Sequence, residues 1–378
     1  MSCKVCEGWL RYDTVGRMKE DFTMRKSLIA MLGLAALGSA SAGWATEGKS
    51  LAAAQGIPYP AVIAHRGASY DAPESTTPAY LLARDLGADY LELDLQRTRD
   101  GVLVVVHDDE LSRTSDVAER FPERKLSPVS AFTLAELKTL DAGSWFNKAY
   151  PERARPSFSK LPILTLDEVI DIAEGNPKRQ PGLYIETKVP NQFPGIEKQL
   201  KQRLEARGWL NRPGRVVLQT FDRNSLALLH EAMPQVPKIL LLWVGTKAIA
   251  PASGQDFADS GESDKAAFYA RQQPKDRAQF LRWLDIAKQG GAIGTGPSAK
   301  RSQLGEQSYA DLIQPWMNQA SHERGLLVHV YTLDEAQDYA NAMQAGVDGI
   351  FTNRAAQLLR FYQRPTENES ALLERSGY

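Results

Sequence analysis

The sequence predicts an α/β protein whose main part is a single (β/α)8 barrel of the TIM type. Three observations predict this architecture. Eight short runs rich in β-branched residues recur along the chain, and amphipathic helical segments separate many of them. The length of 378 residues also suits one barrel with insertions. An open, doubly wound sheet can carry eight strands as well, so the strand count alone leaves that alternative open.

The eight predicted strands are short and mostly apolar: Ala61–Ala64, Tyr90–Gln96, Leu183–Thr187, Val216–Thr220, Ile239–Val244, Ala292–Thr295, Leu326–Tyr331 and Gly349–Thr352. The clearest helices have an apolar face at helical spacing: Thr77–Leu86, Pro194–Arg207, Asn224–Ala232 and Asp334–Ala345. Asp100-Gly101 predicts a hairpin turn after the second strand, with Val102–Val106 as the returning strand. The connections 108–161 and 244–291 are long enough to be functional insertions.

The N-terminal region has the layout of a secretory signal peptide. Arg25 and Lys26 precede the uncharged run Ser27–Leu37, and small residues follow, so we expect cleavage after Ala42 or Ala45. The apolar run is too short to span a bilayer. We therefore expect export to the periplasm or beyond. The predicted organisation is residues 1–45 as an upstream extension with the signal peptide, 46–364 as the barrel, and 365–378 as a polar tail that frays.

Charge and cysteine content exclude several classes of protein. The formal net charge of −1 leaves no excess of Lys and Arg for binding nucleic acid, and we expect neither a nucleic-acid partner nor stable membrane insertion. Cys3 and Cys6 lie in the upstream extension, and no second pair completes a zinc site. We expect a small-molecule substrate as the partner, and the sequence leaves the oligomeric state open.

The second predicted strand carries an unusual row of polar residues. Strand alternation places Glu92, Asp94 and Gln96 on one face and large apolar residues on the other. Carboxylates two positions apart are roughly 6.6 Å apart along a strand, close enough to converge on one cation. The alternative is a half-exposed edge strand with a solvated polar face. The position of the second predicted strand within the parallel series disfavours that interpretation.

Further polar residues follow neighbouring strands. His65 and Arg66 end the first strand, His107 follows the hairpin, and Glu186 and Lys188 end the third predicted strand. Oxygen ligands favour Ca²⁺ or Mg²⁺ over Zn²⁺, and two histidines left free of the metal suggest a general base and a general acid. The cationic side chains Arg66 and Lys188 beside a metal favour phosphodiester hydrolysis over glycoside hydrolysis, because glycoside hydrolysis requires only a carboxylate pair.

Six ordered motifs resemble the signature of the glycerophosphodiester phosphodiesterases, most strongly the periplasmic bacterial branch. The matching residues are His65-Arg66-Gly67, Pro73-Glu74, Glu92-x-Asp94, Asp100-Gly101, His107-Asp108 and Ile185-Glu186-Thr187-Lys188. Leu218-Gln-Thr-Phe221-Asp and Tyr331-Thr332 also match. The resemblance extends from about Ile63 to Asn353.

The resemblance implies metal-dependent hydrolysis of glycerophosphodiesters in a (β/α)8 barrel. Its implied residues are Glu92, Asp94 and Glu186 as ligands of one Ca²⁺ or Mg²⁺, His65 and His107 as the acid–base pair, Arg66 and Lys188 at the phosphate, and Phe221 and Tyr331 at the glycerol. Two positions depart from the family pattern. Ser75 stands where many members have Asn, and Tyr331 replaces a Trp common in other branches, which puts the shape of the glycerol pocket in doubt.

Two other functions remain open at this point. One is a related barrel that acts on phospholipids, such as a sphingomyelinase or a phospholipase D-like enzyme, and the other is a non-catalytic exported binding protein. Among the remaining candidates, we expect His230 and His322 to be structural. His329 is a candidate neighbour of the site, Trp145 a candidate cap, and Glu74 a candidate to orient His65 or Arg66.

Overall fold

The computed structural model describes residues 46–244, 257–274, 276–300 and 311–378. The predicted signal peptide and the two cysteines, Cys3 and Cys6, lie outside these residues. The predicted strands, the hairpin and the first long connection all fall within them.

Eight parallel strands close into a barrel, and a ninth extends the sheet by one hairpin. The strands are β1 (Ala61–Ala64), β2 (Tyr90–Arg97), β3 (Leu103–Val105), β4 (Gly182–Thr187), β5 (Val216–Thr220), β6 (Lys238–Leu242), β7 (Gly294–Pro297), β8 (Leu327–Val330) and β9 (Gly349–Thr352). β1 pairs with both β2 and β9, which closes the ring, while β3 runs antiparallel to β2. The prediction of a closed (β/α)8 barrel is confirmed.

Helices follow most strands. Their bounds are α1 (46–54), α2 (Thr77–Leu86), α3 (Val117–Arg120), α4 (Leu134–Leu137), α5 (Ser144–Ala149), α6 (Leu166–Glu174), α7 (Ile196–Ala206), α8 (Arg223–Ala232), α9 (Phe257–Ser260), α10 (Lys265–Gln272), α11 (Arg277–Gln289), α12 (Pro315–His322), α13 (Ala336–Gln344), α14 (Ala355–Phe361) and α15 (Glu369–Arg375). Short 3₁₀ turns occupy Pro122–Arg124, Val129–Ala131, Pro151–Arg153, Pro156–Phe158 and Pro190–Gln192. No helix within the described ranges is long and apolar enough to cross a bilayer.

Local sequence signals explain where the helices begin and end. Before α6, the Thr165 hydroxyl accepts from the backbone N–H of Glu168, and the Glu168 carboxylate accepts from the backbone N–H of Thr165. This reciprocal pair satisfies two N–H groups that the first helical turn leaves without partners. α2 ends at Gly87, whose φ of 96° is the left-handed conformation that commonly terminates a helix.

Alternation along the strands separates two cores. Leu91, Leu93 and Leu95 of β2 pack into the cluster shared with the surrounding helices. On the opposite face, Tyr90 packs edge-on against Tyr184 inside the barrel, with ring centroids 5.6 Å apart. Glu92 and Asp94 follow Tyr90 on this inner face, towards the C-terminal end of the strand. An apolar interior layer therefore lies beneath the carboxylates.

The connection between β3 and α6 is the predicted first insertion. It packs around an apolar cluster separate from the main core, which we call the insertion cluster. Its buried members are Val104, Val106, Leu111, Val117, Val129, Phe132, Leu137, Leu140, Ala142 and Ile163. The first half of the insertion thus has a small core of its own.

The position of β7 differs from the predicted Ala292–Thr295 by two residues at each end. The segment Gly294-Thr-Gly-Pro297 resembles a turn, because it holds two glycines and a proline. A Cβ built on Gly294 would lie 2.7 Å from Ile239 Cδ1 and 2.7 Å from the Leu327 carbonyl oxygen. Close approach of the neighbouring strands therefore requires glycine here, and local composition does not reveal that requirement.

The C-terminal segment is not a fraying tail, so that expectation is wrong. Residues after Arg364 include α15, which packs against α2 and buries Leu372 and Leu373. The Asn368 side chain accepts from the backbone N–H of Ala371 and caps the helix. Two adjacent leucines are too few to produce a periodic pattern in so polar a sequence, which is why the helix was missed.

Candidate active site

A cavity at the C-terminal ends of the barrel strands collects the predicted residues. It has a volume of about 820 Å³. Nine side chains were predicted to bind the metal, to bind the substrate or to transfer protons, and all of them line this cavity. They are His65, Arg66, Glu92, Asp94, His107, Glu186, Lys188, Phe221 and Tyr331. Barrel enzymes carry out catalysis at this end of the strands. The nine residues therefore form one candidate active site.

Three buried carboxylates lie together in this cavity. Glu92 and Asp94 come from β2 and Glu186 from β4, and the strand register pairs Asp94 with Glu186. One ligand oxygen from each residue lies within 4.8 Å of the other two. The residues are only 1%, 1% and 6% exposed, respectively. This acid triad could bind one divalent cation.

The electrostatics of the acid triad fit such an ion. Burial, together with the neighbouring Asp94, raises the pKa of Glu92 well above its usual range. Burial also raises the pKa of Glu186 to about 7. Burial acts on Asp94 too, but nearby His107 and Lys188 bring the pKa of Asp94 below its usual range. Three ionised carboxylates at this depth need additional positive charge, and a divalent cation would supply it.

Two cationic side chains flank Asp94. Lys188 Nζ lies 3.1 Å from Glu186 Oε1 and 3.6 Å from Asp94 Oδ1. Arg66 Nε lies 3.3 Å from the other oxygen of Asp94, Oδ2. Cations at the edge of a metal site suit an anionic substrate, because they can also contact its oxygens.

The loop after β1 holds Arg66 in an unusual backbone conformation. Arg66 has φ of 58° and Gly67 has φ of 85°, so two successive residues are left-handed. A Cβ on Gly67 would lie 2.7–2.8 Å from the carbonyl group of Ala79, which makes glycine necessary there. The turn directs the Arg66 backbone N–H to Glu92 Oε2, at 2.8 Å. Backbone strain of this kind is common at functional sites.

Hydrogen bonds determine which nitrogen of His65 carries the proton. His65 Nδ1 lies 2.8 Å from Asn353 Oδ1, and Asn353 Nδ2 donates to Asp334 Oδ2 at 2.7 Å. Because a carboxylate only accepts, the Asn353 oxygen must face His65, and Nδ1 must donate to it. Nε2 is then the unprotonated nitrogen. Burial and the neighbouring Arg66 lower the pKa of His65 to about 3, so the ring is neutral.

His107 is held by a carboxylate instead. Its Nδ1 lies 2.6 Å from Asp108 Oδ1, which again makes Nδ1 the donor and leaves Nε2 for another partner. Gln96 fixes the backbone on both sides of His107 by donating to the carbonyl oxygens of Val106 (2.9 Å) and Asp108 (2.8 Å). Burial lowers the pKa of His107, although Asp94 acts in the opposite direction.

Arg113, in the insertion, connects two carboxylates beside the cavity. It donates through Nη1 and Nη2 to both oxygens of Glu74, at 2.9 and 2.7 Å. Its Nε and Nη2 contact both oxygens of Asp108, at 2.5 and 3.0 Å. Glu74 also accepts from Arg66 Nη1 at 2.9 Å, so of its two candidate partners it contacts Arg66. Burial raises the pKa of Glu74, but these two arginines bring it down to about 2.

Aromatic side chains form another part of the wall. Phe221 and Tyr331 pack edge-on, with centroids 5.8 Å apart, and Lys188 Nζ lies 5.9 Å from the Phe221 ring. The Tyr331 hydroxyl donates to the carbonyl oxygen of Leu242 at 3.0 Å, so this tyrosine presents its ring rather than a free hydroxyl. Trp145 of the insertion also lines the cavity.

The other histidines lie away from the cavity. His329 is fully buried inside the barrel, and its Nδ1 lies 2.9 Å from the Tyr184 hydroxyl. His322 is buried with its Nε2 2.8 Å from Asp348 Oδ2, and His230 belongs to α8. None of the three lines the cavity, which agrees with structural roles for His230 and His322.

Asn353 and Gln219 contact predicted residues directly but were not identified from the sequence. Asn353 bonds to His65, and Gln219 Nε2 donates to Glu92 Oε1 at 3.1 Å. Asp334 and Arg113 were not identified either, and they act one contact further away, on Asn353 and on Glu74. Asn353 directly follows β9 and Gln219 lies within β5, so the rule that places catalysis at strand ends could have identified both. Arg113 lies in an irregular segment, and no sequence pattern marks it.

Comparison with known proteins gives a consistent result. Residues 65–357 match the model of the glycerophosphoryl diester phosphodiesterase family. A glycerophosphodiester phosphodiesterase of Bacillus subtilis is 36% identical over 294 residues, which cover 77% of this chain and 82% of that protein.

Solved structures agree in fold. A phosphodiesterase of Oleispira antarctica, in complex with the product sn-glycerol-3-phosphate, aligns with a TM-score of 0.57 at 22% identity, covering 81% of this chain and 97% of that one. A glycerophosphodiester phosphodiesterase of Agrobacterium tumefaciens aligns with a TM-score of 0.51 at 23% identity, covering 78% and 97%. At these identities the likeness supports the barrel fold alone.

Proposed function

The chain belongs to the glycerophosphoryl diester phosphodiesterase family, and we propose that it cleaves glycerophosphodiesters to glycerol-3-phosphate and an alcohol with the help of one divalent cation. One observation carries the proposal. His65 and His107 line the same cavity as the acid triad, and a hydrogen bond at Nδ1 leaves Nε2 of each ring for the substrate. A site that only binds a ligand needs no such pair of proton-transfer groups.

We propose Ca²⁺ as the cation, with Mg²⁺ as the alternative. Glu92, Asp94 and Glu186 would hold it, since an all-oxygen set of carboxylates is typical of hard cations. When bound, the ion would neutralise negative charge on the phosphate oxygens. Arg66 and Lys188 would bind the same phosphate from either side of Asp94, and the rings of Phe221 and Tyr331 would contact the glycerol.

The neutral state of His65 supports an order of proton transfers in two steps. In the first, Nε2 of His65 accepts the proton of the substrate 2-hydroxyl, whose oxygen attacks phosphorus to form a cyclic phosphate. The bond from phosphorus to the alcohol breaks, and His107 gives that oxygen a proton. In the second, His107 takes a proton from water, the water oxygen adds to phosphorus, and His65 returns its proton to the 2-oxygen as the ring opens. The product is glycerol-3-phosphate.

The decisive experiment measures release of glycerol-3-phosphate from glycerophosphocholine, with and without EDTA and added Ca²⁺. We expect activity to disappear on chelation and to return with Ca²⁺. Glu92→Gln should lose activity mainly through weaker metal binding, so excess Ca²⁺ should restore part of it. Glu119→Gln is the matched control, because Glu119 is an exposed carboxylate outside the cavity. Full activity after exhaustive chelation would sink the metal proposal.

Export is a separate part of the proposal and rests on the N-terminal sequence alone. The precursor would be cleaved after Ala42 or Ala45, so that the mature chain begins at Gly43 or Thr46. Intact-mass measurement of protein from a periplasmic extract tests it. A mass that retains Met1 to Leu37 in the soluble fraction would refute export with cleavage.

A further inference from the structure

We propose that Arg113 is a positioning residue that couples the phosphate-binding Arg66 to the proton-transfer group His107, through Glu74 and Asp108. The inference rests on the proposed function, because it deepens the roles of Arg66 and His107 in that reaction. It makes the insertion part of the catalytic apparatus rather than only a cover over the cavity.

The contacts form one continuous chain across the cavity wall. Arg66 Nη1 donates to Glu74 Oε1 at 2.9 Å, and Arg113 Nη2 donates to the same oxygen at 2.7 Å. Arg113 Nη2 also reaches Asp108 Oδ1 at 3.0 Å, and that oxygen lies 2.6 Å from His107 Nδ1. Within this series of hydrogen bonds, the Arg113 guanidinium is the group that contacts both carboxylates, Glu74 and Asp108.

The insertion fixes Arg113 from both sides. Leu111 and Val117, which flank it in sequence, are buried in the insertion cluster. The Ser115 hydroxyl donates to the carbonyl oxygen of Leu111 at 2.7 Å, closing a tight turn around position 113. Asp116 Oδ1 accepts from the backbone N–H of Asp141 at 2.8 Å. Because these anchors already fix the backbone around Arg113, its side chain loses little further conformational entropy when it binds the two carboxylates.

The shape of the guanidinium matters as well as its charge. Its planar fork offers parallel N–H donors to both oxygens of Glu74 while Nε reaches Asp108, and a lysine ammonium cannot reproduce both contacts at once. Arg113 is 44% exposed, so the ion pairs themselves add little stability. Arg113 instead fixes the orientation of the two carboxylates, and the carboxylates in turn orient Arg66 and His107.

Electrostatics supports the same role. Several charged or titratable groups face His107: Asp94 of β2, His65 and Arg66 after β1, Lys188 after β4, Glu74, and Asp108 beside it. Arg113 shares both oxygens of Asp108, which limits how strongly that carboxylate can favour the imidazolium form of His107. Without Arg113, Asp108 loses the two contacts that hold it against His107 Nδ1, so it no longer fixes which ring nitrogen carries the proton.

The test compares Arg113→Met, Arg113→Lys and Arg120→Met in kcat and KM for glycerophosphocholine. Arg120 is the matched control, since it lies in the same insertion and makes only an exposed ion pair with Asp116. We expect Arg113→Met to lose about 10- to 100-fold in kcat/KM, as for other residues that orient a ligand. Arg113→Lys should recover only part of this loss, and Arg120→Met should match the wild type.

Two further variants separate the branches. Glu74→Gln should act mainly on KM, through Arg66, and Asp108→Asn mainly on kcat, through His107. Combining Arg113→Met with either should cost less than the product of the single effects, because the residues act as a unit. Strictly multiplicative effects in both pairs would overturn the coupling.

A measurement on the substrate-free protein separates this inference from the proposed function. The ¹⁵N–¹H spectrum of the His107 imidazole reports whether Nδ1 carries the proton. We expect a Nδ1–H tautomer in the wild type and in Arg120→Met, and a mixture of tautomers in folded Arg113→Met. If the spectrum and kcat/KM of Arg113→Met both equal those of the wild type, the inference is wrong. Loss of the Nδ1–H signal would support it even in a chain that hydrolyses no glycerophosphodiester.

Discussion

The two histidines of the cavity differ in what holds them. His65 follows a barrel strand and is tied to the neutral amide of Asn353, which Asp334 orients. His107 belongs to the hairpin that leads into the insertion and is tied to the charged carboxylate of Asp108. The first arrangement is built from the barrel itself, and the second depends on the insertion.

The two imidazole rings are thus prepared for opposite proton transfers. A neutral partner fixes the tautomer of His65 without favouring its charged form, so its Nε2 is ready to accept a proton. A carboxylate partner fixes the same tautomer and also stabilises the imidazolium, which suits His107 to donate one. Measurements of activity, pH dependence and stability test this difference between His65 and His107.

Removing either imidazole should have the largest effect. General acid–base catalysis contributes roughly 10²- to 10⁴-fold per group, so His65→Ala and His107→Ala should each lose about that much turnover. The double variant should lose far less than the product, since the two groups act in the same steps. Metal binding should stay near that of the wild type in all three. A single variant that keeps more than about a tenth of wild-type turnover would contradict paired proton transfer.

Exchanging the partners of His65 should have an intermediate effect. The double variant Asn353→Asp/Asp334→Asn keeps the total charge and hydrogen bonds but places a carboxylate against Nδ1. A neighbouring negative charge raises a histidine pKa by roughly one to three units. His65 would then stay protonated to higher pH, and the acidic limb of the kcat/KM profile should move upward. An unchanged profile would show that the amide partner is not what keeps His65 neutral.

The smallest effect concerns stability against acid. The pKa of folded His65 is about 3, below its ordinary value of 6.5, so the unfolded chain binds a proton more readily. The free energy of unfolding should therefore fall as pH drops from 6.5 towards 3. His65→Gln has no imidazole to take up a proton on unfolding, so its free energy of unfolding should fall less steeply over this pH range. Urea titrations at several pH values can measure the two slopes. Equal slopes for the two proteins would argue against a neutral, buried His65.

The sequence predicted the barrel side of this comparison better than the insertion side. Glu92, Asp94 and Glu186 lie on regular strands, where a period of two decides which face a side chain takes. Asn353 was not predicted from the sequence, although the same logic could have identified it, because it comes directly after β9. Arg113 lies in an irregular turn, where position depends on how the insertion folds, for example on the hydrogen bond between Asp116 and Asp141, and not on any local period.

The separate insertion cluster has a consequence for how the protein responds to heat. A region held together by few buried apolar side chains can open at lower free energy than the closed barrel. Opening of this region would remove Arg113 from Asp108 while the eight parallel strands remain paired. Loss of activity on warming should then precede loss of the barrel's circular dichroism signal, and backbone amides of the insertion should exchange with deuterium first. Thermal inactivation of this enzyme would thus begin as a local event, reversible on cooling as long as the barrel persists.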